Sequence, residues 1–362
     1  MGAKKKIFEI SKTQNKCMQS ISVVGGGLSG LLFSYWLKKN NSTDTKIKIY
    51  EKNNEIKLAC AEGLTNLRVQ IKRLKREKLL NQNIRNEINR AIFSVDGEEY
   101  RFNFKNEFYI IDRKKLQQNL KSWLEKRVRF QQKKVRDFSE INNGFLVDAT
   151  GSKENYKTAL FSVNEIDGIK KQKTAYFDFR KDLDGYRWFF PHNKEKANIG
   201  VVRDGAQKND LERWEKELKK KGISFKTQIE IGAGSLDCDY IKSNRRLLDK
   251  NKRLAKIGDT AGLMDPLFGE GINGAISSAY TLARSISNKK IERYPRIIKK
   301  ENYRHLKRLN KLSKIQKNNF NKFKNIIRSL NNTNGFKITR PSQLIRNYPI
   351  KTLKLLKNMY IT

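Results

Sequence analysis

The chain has 362 residues, of which 37% are hydrophobic and 10% aromatic; this is enough to bury a sizeable core and excludes a disordered or fibrous protein. Its 78 lysines and arginines stand against 37 acidic residues, a net charge of +41 spread along the whole chain, with lysine and asparagine abundant in every segment. So even a spread argues against a dedicated nucleic-acid arm and is compatible with an anionic membrane surface; three dispersed cysteines, Cys17, Cys60 and Cys238, with no C-x-x-C pair, exclude a disulfide framework and a zinc site.

Residues 1–19 are polar and basic, without the apolar stretch of a secretory leader, and no apolar run approaches the roughly 20 residues of a spanning helix. A reducing, cytoplasmic setting is expected, with any membrane contact peripheral and on the inner face. Residues 21–24 form a short β-branched run that ends at Gly25-Gly26-Gly27, the pattern of a buried parallel strand. Residues 28–39 carry apolar side chains at 28, 31, 32, 35 and 36, which predicts a helix, and KIKIY at 46–50 predicts a second strand. The chain therefore starts with a βαβ unit.

Residues 66–95 are basic with helical periodicity, 99–111 alternate as strands, and 114–126 read as a helix followed by a short strand at 128–130. A strand at 144–147 runs into Asp148-Ala149-Thr150-Gly151, and residues 173–180, 186–191 and 197–202 read as antiparallel strands. A charged helix is expected at 208–221, a strand at 254–257 and a helix rich in small residues at 271–287. From 290 the chain is basic and helical, with Pro341 and Pro349 breaking its tail.

Two stretches carry chemistry. Gly25-Gly26-Gly27-Leu28-Ser29-Gly30 is a G-x-G-x-x-G between a strand and a helix. Gly25 allows the tight turn, Gly27 lets the backbone approach a pyrophosphate at the helix N-terminus, and Gly30 lets helix and strand pack closely. Glu51, about 20 residues on, is placed for an adenosine ribose, and an acid there points to NAD or FAD rather than NADP. The second stretch, GDTAGLMDPLFGEGINGA at 258–275, suits a flavin. Asp259 would bond a ribityl hydroxyl, and the N–H groups of Gly271 and Ile272 would face the pyrimidine end of the ring, where negative charge gathers on reduction.

Other residues have weaker local signals. Arg113, beside a strand end, suits a phosphate contact. Tyr186, Trp188 and Phe190 share one face of a dense aromatic strand, which reads either as core or as the wall of an apolar channel. His192 reads as a solvated loop residue, with a proton donor as the functional alternative, and His305 reads as a surface residue. Nothing supports a metal site.

Taken together, VVGGGLSG, IYEK, CAEGL, YIIDRKKL, VDATG, YRWFFP with ANIGV after it, and GDTAGLMDPLFGEGINGA resemble the geranylgeranyl reductase family, a branch of the flavoproteins built like para-hydroxybenzoate hydroxylase. The likeness runs from about residue 21 to 287, and CAEG and Y-x-W-x-F-P are the parts that look like the reductase branch. The resemblance implies an α/β fold. Residues 18–70, 100–160 and 240–289 would form a Rossmann-like FAD-binding domain, 71–99 and 161–239 an inserted antiparallel β-sheet substrate domain, and 290–362 a basic helical C-terminal region.

It also implies an FAD enzyme that saturates geranylgeranyl C=C bonds, in archaeal ether phospholipids above all. Carried over, FAD would touch Gly30, Glu51, Cys60, Ala61, Gly63, Arg113, Asp259, Gly271 and Ile272, with a backbone position near Val135 meeting the adenine. Tyr186 and Trp188, with Phe190 and Pro191 of the same motif, would line the lipid channel. Cys60, Tyr186 or water would supply the proton. The family more often has glycine where this chain has Ala61 and alanine where it has Thr260.

With no second dinucleotide fingerprint, ferredoxin and NADPH are both open as electron donor. The alternatives are an FAD-dependent monooxygenase or halogenase of the same fold, and a nucleic-acid-binding flavoprotein. The basic stretch 290–328 is read as a helical layer with its lysines outward, or as a contact for anionic lipid headgroups.

Overall fold

The computed structural model describes residues 19–40, 45–56, 61–65, 69–141, 144–151, 157–167, 172–236, 247–251 and 253–331. Cys17, Cys60, Cys238, Pro341 and Pro349 lie outside them. In chain order the elements are β1 (Ser20–Val24), α1 (Leu28–Asn40), β2 (Lys46–Glu51), β3 (Gly63–Thr65), α2 (Val69–Arg76), β4 (Ile84–Val95), β5 (Glu98–Ile111), α3 (Arg113–Glu125), β6 (Arg129–Gln132) and β7 (Phe145–Asp148). They continue with β8 (Lys157–Asp167), β9 (Thr174–Phe179), β10 (Tyr186–Pro191), β11 (Lys196–Arg203), α4 (Lys208–Lys220), β12 (Ser224–Leu236), β13 (Leu248–Asp249), β14 (Leu254–Lys256), α5 (Ile272–Ser287), α6 (Tyr294–Ile298), α7 (Arg304–Asn318) and α8 (Phe320–Asn331).

Two sheets organise these elements. The six-stranded sheet has the order β13-β14-β7-β1-β2-β6. Its strands are parallel except β13, which pairs antiparallel with β14. β1 sits between β2 and β7, so the strand order reverses at its carboxyl end, where open α/β sheets bind ligands. α1 is buried almost all round because it lies between this sheet and α5; Trp36 meets Tyr280 edge-on at 5.3 Å.

The eight-stranded sheet has the order β12-β8-β11-β10-β9-β4-β5-β3. It is antiparallel except where β4 runs parallel to β9. One face is covered by α4, whose Leu211, Trp214 and Leu218 fall on a single helical stripe. Onto the other face fold Leu309 of α7 and Phe320, Phe323, Ile326, Ile327 and Leu330 of α8. Both faces being covered, all six residues of β10 are buried. Arg187, on the α4 face, meets Asp178 of β9 through Nε at 2.9 Å and Glu217 of α4 through Nη1 at 2.8 Å, so its buried charge is neutralised on both sides.

Two sequence expectations shift. Among the described residues of the 66–95 segment, Val69–Arg76 is α-helical and Asn81–Asn83 a 3-10 turn, and Ile84–Val95 is a strand. The reason lies in the pairing of β4 with β5, whose register shifts between Ile84 and Asn86 and between Ile88 and Arg90. Each shift moves the inward face by one residue. The second shift sets Ile88 and Ala91 on one face at a spacing of three, after which Ala91, Phe93 and Val95 alternate toward the same core, and that break in the alternation hides the strand. The boundaries drawn at 70 and 100 also differ from the sheets: β3 and all of β5 hydrogen-bond in the eight-stranded sheet. Asp96 and Gly97, with φ of +54° and +86°, make the two-residue turn that sends β5 back along β4.

Candidate functional site

A cavity of about 850 Å³ runs from the carboxyl end of β1 to the face of the eight-stranded sheet beneath α8. Its polar end is made of backbone. Gly25, at φ +109°, donates its N–H to Tyr50 O at 2.8 Å, and a Cβ there would stand 2.2 Å from Ala149 O. A Cβ on Gly30 would stand 2.0 Å from Gly25 O, so Gly30 packs α1 onto the turn and is not itself in the lining. Gly27 is different: a Cβ there meets nothing within 4 Å, and its face opens on the cavity. α1 has no acidic residue in its first turn, which leaves its positive end available to an anion. At the end of β2, Glu51 accepts from Gly26 N at 2.7 Å and Asn53 N at 2.9 Å and borders the same space.

Arg113 opens α3 and lines the cavity, with Nε donating to Gln117 Oε1 at 2.9 Å. Asp259 and Gly271 touch: a Cβ on Gly271 would lie 2.7 Å from Asp259 Oδ1, so only glycine lets that carboxylate sit over the start of α5. Ile272 is the first residue of α5 and also lines the cavity. Thr260 has a structural use that alanine lacks: its Oγ1 accepts from Gly151 N at 3.0 Å and donates to Gly151 O at 2.9 Å, tying the DATG turn to the GDTAG turn.

Ala61 and Gly63 line the middle of the cavity, while Glu62 between them turns inward. Glu62 is 0% exposed and sits at φ +63°, a conformation that costs a non-glycine residue energy and must be held by its surroundings. Its Oε1 accepts from Arg113 N at 3.2 Å and lies 3.6 Å from Arg85 Nε, and its Oε2 lies 3.0 Å from His192 Nε2. Arg85 also reaches Asp112 at 3.1 Å. His192 is thus no solvated loop residue; it is 2% exposed, drawn in by a buried carboxylate.

The far half of the cavity is apolar. Tyr186, Trp188 and Phe190 face it from β10, among Phe108, Phe177 and Phe268. Phe177 stands 5.1 Å from Phe190 and 5.9 Å from Tyr186, centroid to centroid. The polar atoms of these rings are engaged: Tyr186 Oη donates to Phe268 O at 2.6 Å and Trp188 Nε1 to Asn198 Oδ1 at 2.8 Å. What the strand offers the cavity is therefore hydrocarbon. Gly200 makes room for the indole, since a Cβ there would lie 2.2 Å from Trp188 Cζ2.

Most of the sequence-derived residues converge on this one cavity: Gly25, Gly27, Glu51, Ala61, Gly63, Arg113, Asp259, Gly271, Ile272, Tyr186, Trp188 and Phe190. Pro191 lies on the opposite face of β10 and is buried there. Val135 packs beside Val24, Tyr50 and Ile141, off the cavity, and Phe130, Gln131 and Gln132 occupy the lining near the end of β2 instead. Cys60 is among the residues not described.

His305 is not simply a surface residue: it is half-buried and lines the cavity with Arg308, Leu309 and Leu312 of α7 and Ile326, Ile327 and Leu330 of α8. The one readable signal for this wall was the apolar stripe Phe320, Phe323, Ile327, Leu330. Among the described residues no group of His, Cys, Asp or Glu could hold a metal, and no helix is long and apolar enough to cross a membrane.

The residues fit a dinucleotide. Two glycines close the turn, the third leaves open space in front of helix N–H groups, and a fixed carboxylate ends the neighbouring strand. No family model matches the chain. Digeranylgeranylglycerophospholipid reductase 2 of Methanothermobacter thermautotrophicus is 29% identical over 123 residues, which are 33% of this chain and only 30% of that protein's length. A geranylgeranyl bacteriochlorophyll reductase-like protein from Thermoplasma acidophilum superimposes with a TM-score of 0.71 at 17% identity, covering 94% of this chain and 98% of the other. The flavin-dependent halogenase CmlS superimposes at 0.58 with 15% identity, over 88% of this chain and 66% of its own. The α/β fold, with a Rossmann-like sheet, an antiparallel sheet and C-terminal helices, is shared with these proteins.

Proposed function

We propose that this chain is an FAD-dependent reductase that saturates C=C bonds of geranylgeranyl chains, with archaeal-type ether phospholipids as the substrates. The observation that carries the reading is the continuity of one cavity, a dinucleotide cradle at one end and an aromatic, hydrocarbon-faced chamber at the other. The glycine turn, Glu51 and Arg113 hold the nucleotide half of the cofactor, and Asp259 with the N-terminus of α5 holds the flavin half. When bound, reduced FAD supplies the hydride. A trisubstituted alkene offers no polar handle, so the protein binds it by burial, worth roughly 0.8 kcal/mol for each CH₂ removed from water. Tyr186, Trp188 and Phe190 hold the chain in place, and α8 keeps water out.

An external donor, ferredoxin or NADPH, reloads the cofactor. The exposed Lys307, Lys311 and Lys314 of α7 support a peripheral contact with an anionic membrane. The halogenase neighbours favour a second reading, an FAD-dependent monooxygenase or halogenase, which differs in requiring O₂. Mass spectrometry of geranylgeranyl lipid incubated with dithionite-reduced enzyme tests the proposal. Gains of two hydrogens per bond are expected, and unchanged lipid would contradict it.

A further inference from the structure

A second, much smaller chamber lies beside the first. Its volume is about 10 Å³, the space of about one water molecule. Thr65, Asp265, Glu270 and His305 line both chambers, so the small one borders the large one through polar side chains. Asn273, in the first turn of α5 and 6% exposed, lines only the small one.

The amide of Asn273 is oriented by its neighbours. Nδ2 donates to Glu270 Oε2 at 2.8 Å, to Thr65 O at 3.0 Å and to Thr65 Oγ1 at 3.1 Å. Flipping it would set an oxygen against the Glu270 carboxylate and the Thr65 carbonyl, both acceptors. The carbonyl Oδ1 is thereby fixed; it is buried and has no hydrogen-bond partner among the described residues. A buried acceptor of this kind calls for a donor, and a water-sized space lined with polar groups is where one fits.

We propose that the chamber holds an ordered water, and that this water and His305 form the route by which the proton reaches the reduction site. The proposal rests on the reductase reading. Saturating a C=C bond adds a hydride to one carbon and a proton to the other. The hydride comes from the reduced flavin, recharged with two electrons by the external donor. His305, which lines both chambers, gives the proton: its N–H bond breaks as the C–H bond forms, the chamber water gives a proton to the other ring nitrogen in the same step, and solvent reprotonates the water.

His305 and the other polar groups of the wall all have interactions of their own, and what separates them is their chemistry. Tyr186 Oη donates to Phe268 O. Both carboxylate oxygens of Glu270 accept from Asn273, N to Oε1 at 2.7 Å and Nδ2 to Oε2. Asp265 Oδ1 accepts from Leu267 N at 2.8 Å and Phe268 N at 2.9 Å. These carboxylates serve as fixed acceptors, whereas an imidazole can both give and take a proton. His305 is half-buried, between solvent and the chamber. The helix that carries it is entered through a π-helical turn, Lys299–Tyr303, an irregularity that often marks functional sites because it re-aims the side chains that follow.

The test has three arms. An atomic-resolution structure of the FAD-loaded protein should show a water within hydrogen-bond distance of Asn273 Oδ1, and an empty or apolar-filled chamber would overturn the proposal. In single-turnover assays of dithionite-reduced enzyme with geranylgeranyl lipid, His305→Ala should slow lipid reduction roughly 100-fold. The KM for lipid, the flavin affinity and the melting temperature should stay unchanged, and added imidazole should restore part of the rate. An unimpaired variant, or a loss shared by KM and flavin affinity that imidazole does not restore, would overturn the route. Asn273→Leu, which fills the chamber, should slow lipid reduction in the same way; should it fail to fold, Asn273→Asp takes its place, with loss expected and full activity contradicting. Wild-type enzyme that leaves the lipid unchanged would instead sink the reductase reading, and the first arm would then decide the chamber by itself.

Discussion

The two ends of the cavity are built by different means. The polar end is backbone: a glycine turn, two helix N-termini and a few anchored carboxylates, brought together by a sheet whose parallel strands all point their carboxyl ends at it. The apolar end is side chain: alternate residues of β10 and its neighbours, roofed by α7 and α8 from the other end of the chain. Backbone sites tolerate no Cβ at their closest approaches. Side-chain sites depend on volume, and many residues can supply it. The two halves should therefore fail separately when each is mutated, and together only when the seam between them is broken.

That seam is Glu62, and its loss should have the largest effect. Glu62→Ala leaves the buried His192 and the Arg113 N–H without their acceptor, which should destabilise the protein by about 1–3 kcal/mol in denaturant unfolding. Both flavin binding and lipid binding should suffer, because the Ala61–Gly63 turn, Arg113 and the end of β10 all hang on that carboxylate. A Glu62→Ala protein of normal stability that loses only one of the two ligands would contradict the seam.

Next come two single substitutions that should separate the ends. Gly30→Ala drives a Cβ into Gly25 O, and Gly200→Ala drives one into the Trp188 indole. Each should cost about 1–3 kcal/mol of stability. Titration with FAD should show binding lost in the first and kept in the second, while lipid binding should be weakened in the second. If Gly200→Ala also abolished FAD binding, the two ends would not be independent.

The smallest effect concerns the roof. Glu98 of β5 meets Lys324 and Arg328 of α8 at 2.7 and 2.8 Å, and its carboxyl is pulled down to about 2 by hydrogen bonds from Lys324, Tyr100 and Arg328. A depressed carboxylate stabilises the clasp above its unfolded value near 4.5, and that contribution fades as pH falls toward about 2. The pair is solvent-exposed, so salt should weaken it further. Protection of the α8 amides, taken relative to the intrinsic exchange rate at each pH, should fall modestly on acidification, and Glu98→Gln should remove that fall; an unchanged protection profile in Glu98→Gln would assign it to another group.

The same contrast governs what could be read from the residues alone. The polar end was legible because turns and helix starts constrain residue type at fixed spacing: Gly25, Gly27, Glu51, Asp259 and Gly271 all reach the cavity. The aromatic face of β10 was legible through its period of two. β4 was not, because register shifts break its alternation before Ala91, although Asp96-Gly97 was a hairpin signal in plain view. The burial of His192 depends on Glu62, distant in sequence, and no local pattern announces such a partner. The side chain of Val135, a position taken from the family likeness, packs beside Val24, Tyr50 and Ile141, a placement no local pattern announces.

The central claim is that one cavity brings a flavin and a prenyl chain into contact. Anaerobic stopped-flow absorbance of the reduced, FAD-loaded protein tests it most directly. Added geranylgeranyl lipid should reoxidise the flavin with no O₂ present, and a fully saturated analogue should leave it reduced. Flavin that stays reduced with either lipid until O₂ is admitted would contradict the account and favour an oxygen-using enzyme on the same fold.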